Sequence, residues 1–432
     1  MKIFLKRMFK KVKNILLKIK IEIIVFICYF ILLIIIRIII PNSWILWSLG
    51  YESDNEFYYM MAEDITCIFD RIIISPFCYR ILEPFLIYIL PFDIKLSFTL
   101  IGFISYFLIG IMLYLTLRIH FNKIYSILGL ILFIIYIECT NNFLYVEFAA
   151  VYNVDPLTYL FFICCFYAIL KRNKILYAIF LFLGVLTKEC ILFTIPVFFL
   201  YDYYRNYNKF KIKNGIKSFL KNSKYILPAI FSFLLLRLIV IPLPIPEHYV
   251  WYMGYHETDY MSFEFFLMMI NREIDMFKGD GFSWYIFGAW GILPIFCLFN
   301  NTEDIWKWVR IYGIFICCAY IQLIIGKTYF RARFLYVAYY PIIYLSVLGI
   351  KRINDLIGNY IQKSKNQIYI IGIKKKKKDF HNNFLFFYIV IVFMIVYYYL
   401  FITGVIIIIA SLLSFQIVYV FLNFNNMSSE FS

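Results

Sequence analysis

Apolar residues run almost unbroken from residue 21 to residue 423, interrupted at intervals by short polar or charged clusters. The runs are continuous rather than alternating, so they predict helices and not the two-residue period of a barrel strand. Many approach the roughly 20 apolar residues that a helix needs to cross a hydrocarbon layer about 30 Å thick. Lipid offers no hydrogen bonds, so the backbone of such segments must pair within itself. The pattern places spans at 21–40, 94–117, 124–138, 156–170, 175–186, 190–201, 225–245, 284–299, 309–325, 334–350, 385–402 and 404–422, about twelve in all. Segments 175–186 and 190–201 are too short to cross upright alone, which predicts a paired hairpin. Only Thr403 and Gly404 part the last two, leaving two crossings or one re-entrant unit open. The expected fold class is all-α, a polytopic transmembrane helical bundle.

The interruptions divide the chain into a basic N-terminal segment (1–20), a membrane module (21–350) with large loops at 42–93 and 246–283, a basic stretch (351–383), and a C-terminal hairpin with a short tail (384–432). Loop 42–93 contains Pro76 to Pro91, an amphipathic stretch expected as short interfacial helices, with Arg80 and Glu83 facing headgroups or a cavity. Hydrophobic residues make up 63% of the chain and aromatic ones 22%, above the roughly half-apolar content of soluble domains. That excess fits a lipid solvent.

A net charge of +16 raises nucleic acid as a partner, but the distribution points elsewhere. Lys2 to Lys20, Lys171–Lys174, Lys209–Lys224 and Lys351–Lys378 all fall in loops of one parity. Glu52, Asp54, Glu56, Glu63, Asp64, Asp70, Glu147, Asp155, Glu247, Glu257, Asp259 and Asp280 fall in the other. Lys and Arg accumulate in short cytoplasmic loops, so both termini are expected in the cytoplasm and the acidic loops outside. The lysine runs suit anionic headgroups, and no nucleic-acid partner is expected. The first span has no small-residue cleavage site and reads as an uncleaved anchor. Most of the ten cysteines lie in spans as small apolar fillers. Cys67 and Cys78 share an outer loop, where a disulfide could form.

Chemistry concentrates on the acidic side. In Ser53–Ala62 a helix puts Asp54, Tyr58 and Ala62 on one face at i, i+4, i+8. A carboxylate there can take a proton from a hydroxyl, hold a divalent cation, or simply be solvated. Asp155, ahead of Pro156, either caps its helix or supplies a second acid. Thr187, Lys188 and Glu189 tip the short hairpin, either capping the turn or, through Lys188, binding an anionic headgroup. Arg331 and Arg333 run against the charge bias, and a guanidinium fork suits phosphate. Arg237 lies within an apolar run, as a functional or buried-pair charge. His248 and His256, near Glu257 and Asp259, either ligate a metal or are ordinary loop polarity.

Together these places resemble the GT-C superfamily of membrane glycosyltransferases, nearest the branch of lipid A aminoarabinose transferases and protein O-mannosyltransferases. Asp54, Tyr58 and Ala62 match its Asp-Glu-x-x-Tyr-x-x-x-Ala motif. Asp155, Leu157 and Thr158 match the start of its fourth span, Gly184 to Lys188 its Gly-x-Leu-Thr-Lys tip, and Arg333 to Pro341 loosely its late arginine motif. Asn55 stands where the branch has a second acid. The resemblance implies a GT-C-like bundle that moves a sugar, with inversion, from a polyprenyl-phosphate donor to a glycan, lipid or protein acceptor. Asp54 would be the base or a ligand to a divalent cation, with Asp155 its partner. Tyr58, Arg80, Lys188, Glu189, Arg331 and Arg333 would bind substrate, the cations meeting the departing phosphate. No cofactor is certain, a metal site is unknown, and membrane lipids are expected partners. The setting expected is a bacterial plasma membrane with the active site on the outer face. Two other readings stay open: an O-antigen-type polymerase or ligase, and a lipid-linked-sugar flippase without transferase chemistry.

Overall fold

The computed structural model describes residues 21–39, 54–70, 73, 77–134, 154–206, 212–241, 293–325 and 337–369. Among them the chain is all-helical, with thirteen α-helices and short 3-10 turns. It divides into two compact units, residues 1–40 with 387–432, and residues 41–386. The described part of the first unit is α1 (Ile21–Ile39). Its Val25, Tyr29, Leu32 and Leu33 form one buried stripe at the i, i+4, i+7, i+8 helical spacing.

The second unit begins with α2 (Asp54–Glu63), 3-10 turns at Ile65–Ile68 and Phe77–Tyr79, and α3 (Leu82–Tyr88). It continues with α4 (Ile94–Leu117), α5 (Lys123–Phe133), α6 (Asp155–Leu170), α7 (Lys174–Thr187), a 3-10 turn Glu189–Phe193 and α8 (Thr194–Asn206). Next come α9 (Ile212–Ser223), α10 (Leu227–Ile239), α11 (Leu293–Cys297), α12 (Thr302–Ile325) and α13 (Tyr339–Tyr369).

The local start signals are plain. Asp93, Asn122 and Asn173 precede α4, α5 and α7, and each side chain accepts a hydrogen bond from a backbone amide two or three residues into its helix, at 3.2, 3.1 and 3.0 Å. Between α6 and α7 the chain reverses through a left-handed residue, Arg172, at φ 59°. The Asn173 amide donates to Ala168 O and the Arg172 amide to Ile169 O, both at 3.0 Å. This is the Schellman pattern, built without the usual glycine.

α6 is the centre of this unit. It packs between α4 and α7, and every one of its residues except Tyr167 is buried. A helix that is apolar all round belongs in an interior. α7 folds back toward α8, where Tyr177 stacks on Phe198 at 4.3 Å and its hydroxyl lies 3.2 Å from Thr194 Oγ1. On the far side α13 packs on α5 and α11. Gly349 permits that approach, because an added Cβ would lie 1.9 Å from Phe296 O.

Several expectations change. Helices stand at ten of the twelve expected spans, but most are short. Among the described residues one helix, α4, is long and apolar enough to cross a membrane alone, or up to two if α9 and α10, bent by 65°, count as one span. Among the described residues, about twelve separate full-length crossings therefore give way to one or two candidate spans among shorter helices; 385–402 and 404–422, most of 284–299 and parts of 124–138, 225–245 and 334–350 lie outside the described residues. The basic stretch from 351 is not a loop at its start, since α13 carries it to Tyr369. Arg352 on that extension donates to Asp304 of α12 at 3.1 Å. Cys67 and Cys78 are both free and buried rather than paired, and burial pushes each thiol up to about 11.

Candidate functional site

The described residues from α2 to α3 form a small apolar core, and the expected short helices stand within 76–91, at Phe77–Tyr79 and Leu82–Tyr88. Tyr58, Met61, Ala62, Cys67, Ile73, Phe77, Cys78, Ile87 and Phe98 are all buried in it. Phe77 is its hub: Phe57 stacks on it at 5.4 Å, Tyr58 meets it edge-on at 5.9 Å, and the Arg80 guanidinium lies 5.2 Å from its ring centre. The core fixes Tyr58 and Arg80 against one another, and Arg80 Nη1 donates to the Tyr58 hydroxyl at 2.8 Å.

The other edge of the Arg80 fork reaches across to the turn after α7. Nε and Nη2 donate to the two Glu189 carboxylate oxygens at 3.2 and 2.7 Å, a bidentate pair. Burial pushes the Glu189 carboxyl up, but the Arg80 charge more than offsets it and holds the acid down at about 2. Arg80 and Glu83 therefore do not face headgroups; they are 8% and 0% exposed.

Lys188, the residue before Glu189, turns to Asp155. Its ammonium donates to Asp155 Oδ1, and the two residues are 7% and 3% exposed. Asp155 opens α6, where the positive end of the helix dipole favours an acid. It does not cap the helix, since Val154 holds the cap position and no side chain bonds there. Lys188 is extended, at φ −161° and ψ 135°, so it and its neighbour leave the chain in different directions. One turn thus anchors two loops. Gly184 lets it come this close: an added Cβ would lie 2.8 Å from Ile191 Cγ1 and 3.1 Å from Phe161 Cβ.

Glu83 completes the cluster. Both carboxylate oxygens are buried without a hydrogen-bond partner among the described residues. Burial raises its carboxyl well above the usual range, and the Asp155 charge pushes it further. Burial and the Asp155 charge thus both favour the protonated, neutral form of Glu83. Arg237, in the last turn of α10, lies 4.4 Å over the Tyr79 ring, next to this core.

The structure thus brings together Tyr58, Arg80, Asp155, Lys188 and Glu189. Asp54 opens α2 one turn before Tyr58, and its side chain lies outside the described residues. So do Arg331, Arg333, His248, His256, Glu257 and Asp259. Among the described residues no group of three or more His, Cys, Asp and Glu is placed to hold a metal ion. From the sequence, Glu83 is expected only to face headgroups or a cavity together with Arg80. Its isolation depends on Arg80 choosing Glu189, a residue 109 positions away, and no local signal reports that.

No protein-family model, curated protein or solved structure matches this chain.

Chemically, the cluster offers two buried cations, each paired with a carboxylate, with a third carboxyl and a phenol beside them. An anionic ligand can enter such a site by exchange, taking Lys188 from Asp155 or Arg80 from Glu189. Either exchange releases a carboxylate able to accept a proton or a hydroxyl hydrogen bond.

Proposed function

We propose that the chain is an integral membrane glycosyltransferase of the GT-C type, transferring a sugar with inversion from a polyprenyl-phosphate carrier to an acceptor hydroxyl on the outer face of a bacterial plasma membrane. The observation that carries this reading is the meeting of three separated motifs, 54–62, 155–158 and 184–189, through the Asp155–Lys188 and Tyr58–Arg80–Glu189 contacts.

In this reading the acceptor oxygen bonds to the anomeric carbon as the bond from that carbon to the phosphate oxygen breaks. The electron pair leaves with the carrier phosphate, and the acceptor proton goes to Asp54. Lys188, drawn from Asp155 to the phosphate, neutralises charge where it develops. The freed Asp155 then orients the acceptor beside Asp54, and Arg331 and Arg333 supply further positive charge. Exposed apolar side chains such as Leu227, Phe231 and Leu238 on α10 support a lipid setting. A flippase fits less well, because its best intramembrane charge, Arg237, sits in the last turn of α10.

The test supplies purified protein with labelled polyprenyl-phosphate sugars and a membrane acceptor extract, comparing wild type with Asp54→Asn. Transfer should fall at least 100-fold in the variant, the order seen when a general base is removed. Equal transfer by both would remove Asp54 as the base. Movement of the lipid-linked sugar across the bilayer with no new glycosidic bond would replace the transferase reading by a flippase.

A further inference from the structure

α9 is amphipathic in the reverse sense for a helix bathed in water. Its protein-facing side is polar. Asn222, fully buried, donates to Asp202 Oδ2 of α8 at 2.8 Å, and Ser218 donates to the same oxygen at 3.2 Å. Lys174, at the start of α7, donates to Asn222 Oδ1 at 2.6 Å and lies 3.4 Å from Asp202 Oδ1. This network fixes the rotation of α9 on its neighbours.

The outer side is apolar. Ile216, Phe219 and Leu220, at i, i+3 and i+4, are 57%, 50% and 67% exposed, with Phe219 at the edge of the stripe, where its ring also meets Phe199 of α8 at 4.7 Å. In water a helix turns such a stripe inward and its amide and hydroxyl groups outward. Here the polar clamp holds it the other way, an arrangement that apolar surroundings favour.

Charge identifies those surroundings further. Lys221 and Lys224 are exposed beside the stripe. Lys209, Lys211, Lys213 and Lys217 precede them, and no acidic residue occurs from 203 to 246. A second copy of this surface would set lysines against lysines, whereas an anionic bilayer complements both the stripe and its charge. After α9 the chain bends by 65° into α10, whose Leu227, Phe231, Leu234 and Leu238 are themselves exposed. A helix lying along an interface and a second one turning away from it give this geometry.

We propose that α9 is a lipid-docking helix: Ile216, Phe219 and Leu220 enter the acyl boundary of an anionic phospholipid bilayer, and Lys221 and Lys224 meet its headgroups. The docking is independent of whether the chain transfers a sugar.

The test places a photoreactive ring on the stripe. The full chain carrying Phe219→p-benzoylphenylalanine is reconstituted in nanodiscs of mixed phosphatidylcholine and phosphatidylglycerol, irradiated, and its adducts identified by mass spectrometry. Phospholipid adducts are expected, with phosphatidylglycerol enriched several-fold over its share of the disc, since ~1 kcal/mol per lysine corresponds to about five-fold. Adding Lys221→Gln and Lys224→Gln should lower that share several-fold toward the bulk value. The same probe at buried Tyr203 should capture no lipid. Absence of lipid adducts at position 219, or adducts between two copies of the chain, would overturn the docking. An unchanged phosphatidylglycerol share without the two lysines would overturn the headgroup contact.

Discussion

Consider Lys188→Met. The side chain keeps its approximate length and loses its charge, leaving the Asp155 carboxylate, 3% exposed, without its ammonium partner. Breaking a buried pair from one side costs about 3–5 kcal/mol, because a desolvated charge loses its counterion. Against a typical total stability of about 5–15 kcal/mol, that is a large share. Replacing both members, Lys188→Met with Asp155→Leu, removes the buried charge as well and should restore most of the stability, as apolar replacements of buried pairs commonly do. The assay is equilibrium unfolding in detergent followed by tryptophan fluorescence, run on wild type, both single variants and the double. A coupling of about 2 kcal/mol or more is expected, in the upper part of the range for contacting residues. Activity separates from stability here, because the double variant should be folded and inactive. A single variant losing less than about 1 kcal/mol, or a double no more stable than Lys188→Met, would refute the pairing argument.

Other outcomes follow from the same geometry. Gly184→Ala should lose about 1–3 kcal/mol by overpacking, since its Cβ would press on Ile191 and Phe161, and thermal unfolding in detergent measures it. Arg172→Gly should gain about 1 kcal/mol, as glycine adopts the left-handed conformation without the Cβ penalty, provided φ stays near 59°; the same melt reads it. Glu83→Gln tests linkage. A carboxyl raised in the folded state makes stability fall as pH climbs from the unfolded value, 4.5, toward the folded one. The variant should therefore match wild type near pH 4 and exceed it at pH 7–8. Glu189, held at about 2, acts in the opposite sense, its stabilisation fading as pH falls from 4.5 toward 2. A pH-independent difference between Glu83→Gln and wild type would remove the neutral-carboxyl argument.

Much of the helical plan is local and was legible. α4 begins and ends where its apolar run does, and α6 and α7 lie within a residue of theirs, because capping side chains and runs of apolar residues act over a few positions. The motifs were legible too, as residue types. Their connections were not. Spacing would match Arg80 with Glu83 three residues on, yet Arg80 takes Glu189, since only the folded core of Phe57, Tyr58 and Phe77 decides where its fork points. The helix beyond residue 351 was hidden for another reason. Its lysines and asparagines read as a loop, while packing of α13 on α5 and α11, with the Arg352–Asp304 contact, carries it onward. The reversed polarity of α9 was invisible for the same cause: which side faces the protein is set by Asp202 and Lys174, in other helices.

The turn at 188–189 has a consequence for how the cluster is held together. Two consecutive residues hold α6 on one side and the α2–α3 core on the other, so the two ion pairs share one backbone link. A substitution that displaces this turn is therefore expected to loosen both contacts at once, making residues 188–189 the common fastening of helix and loop.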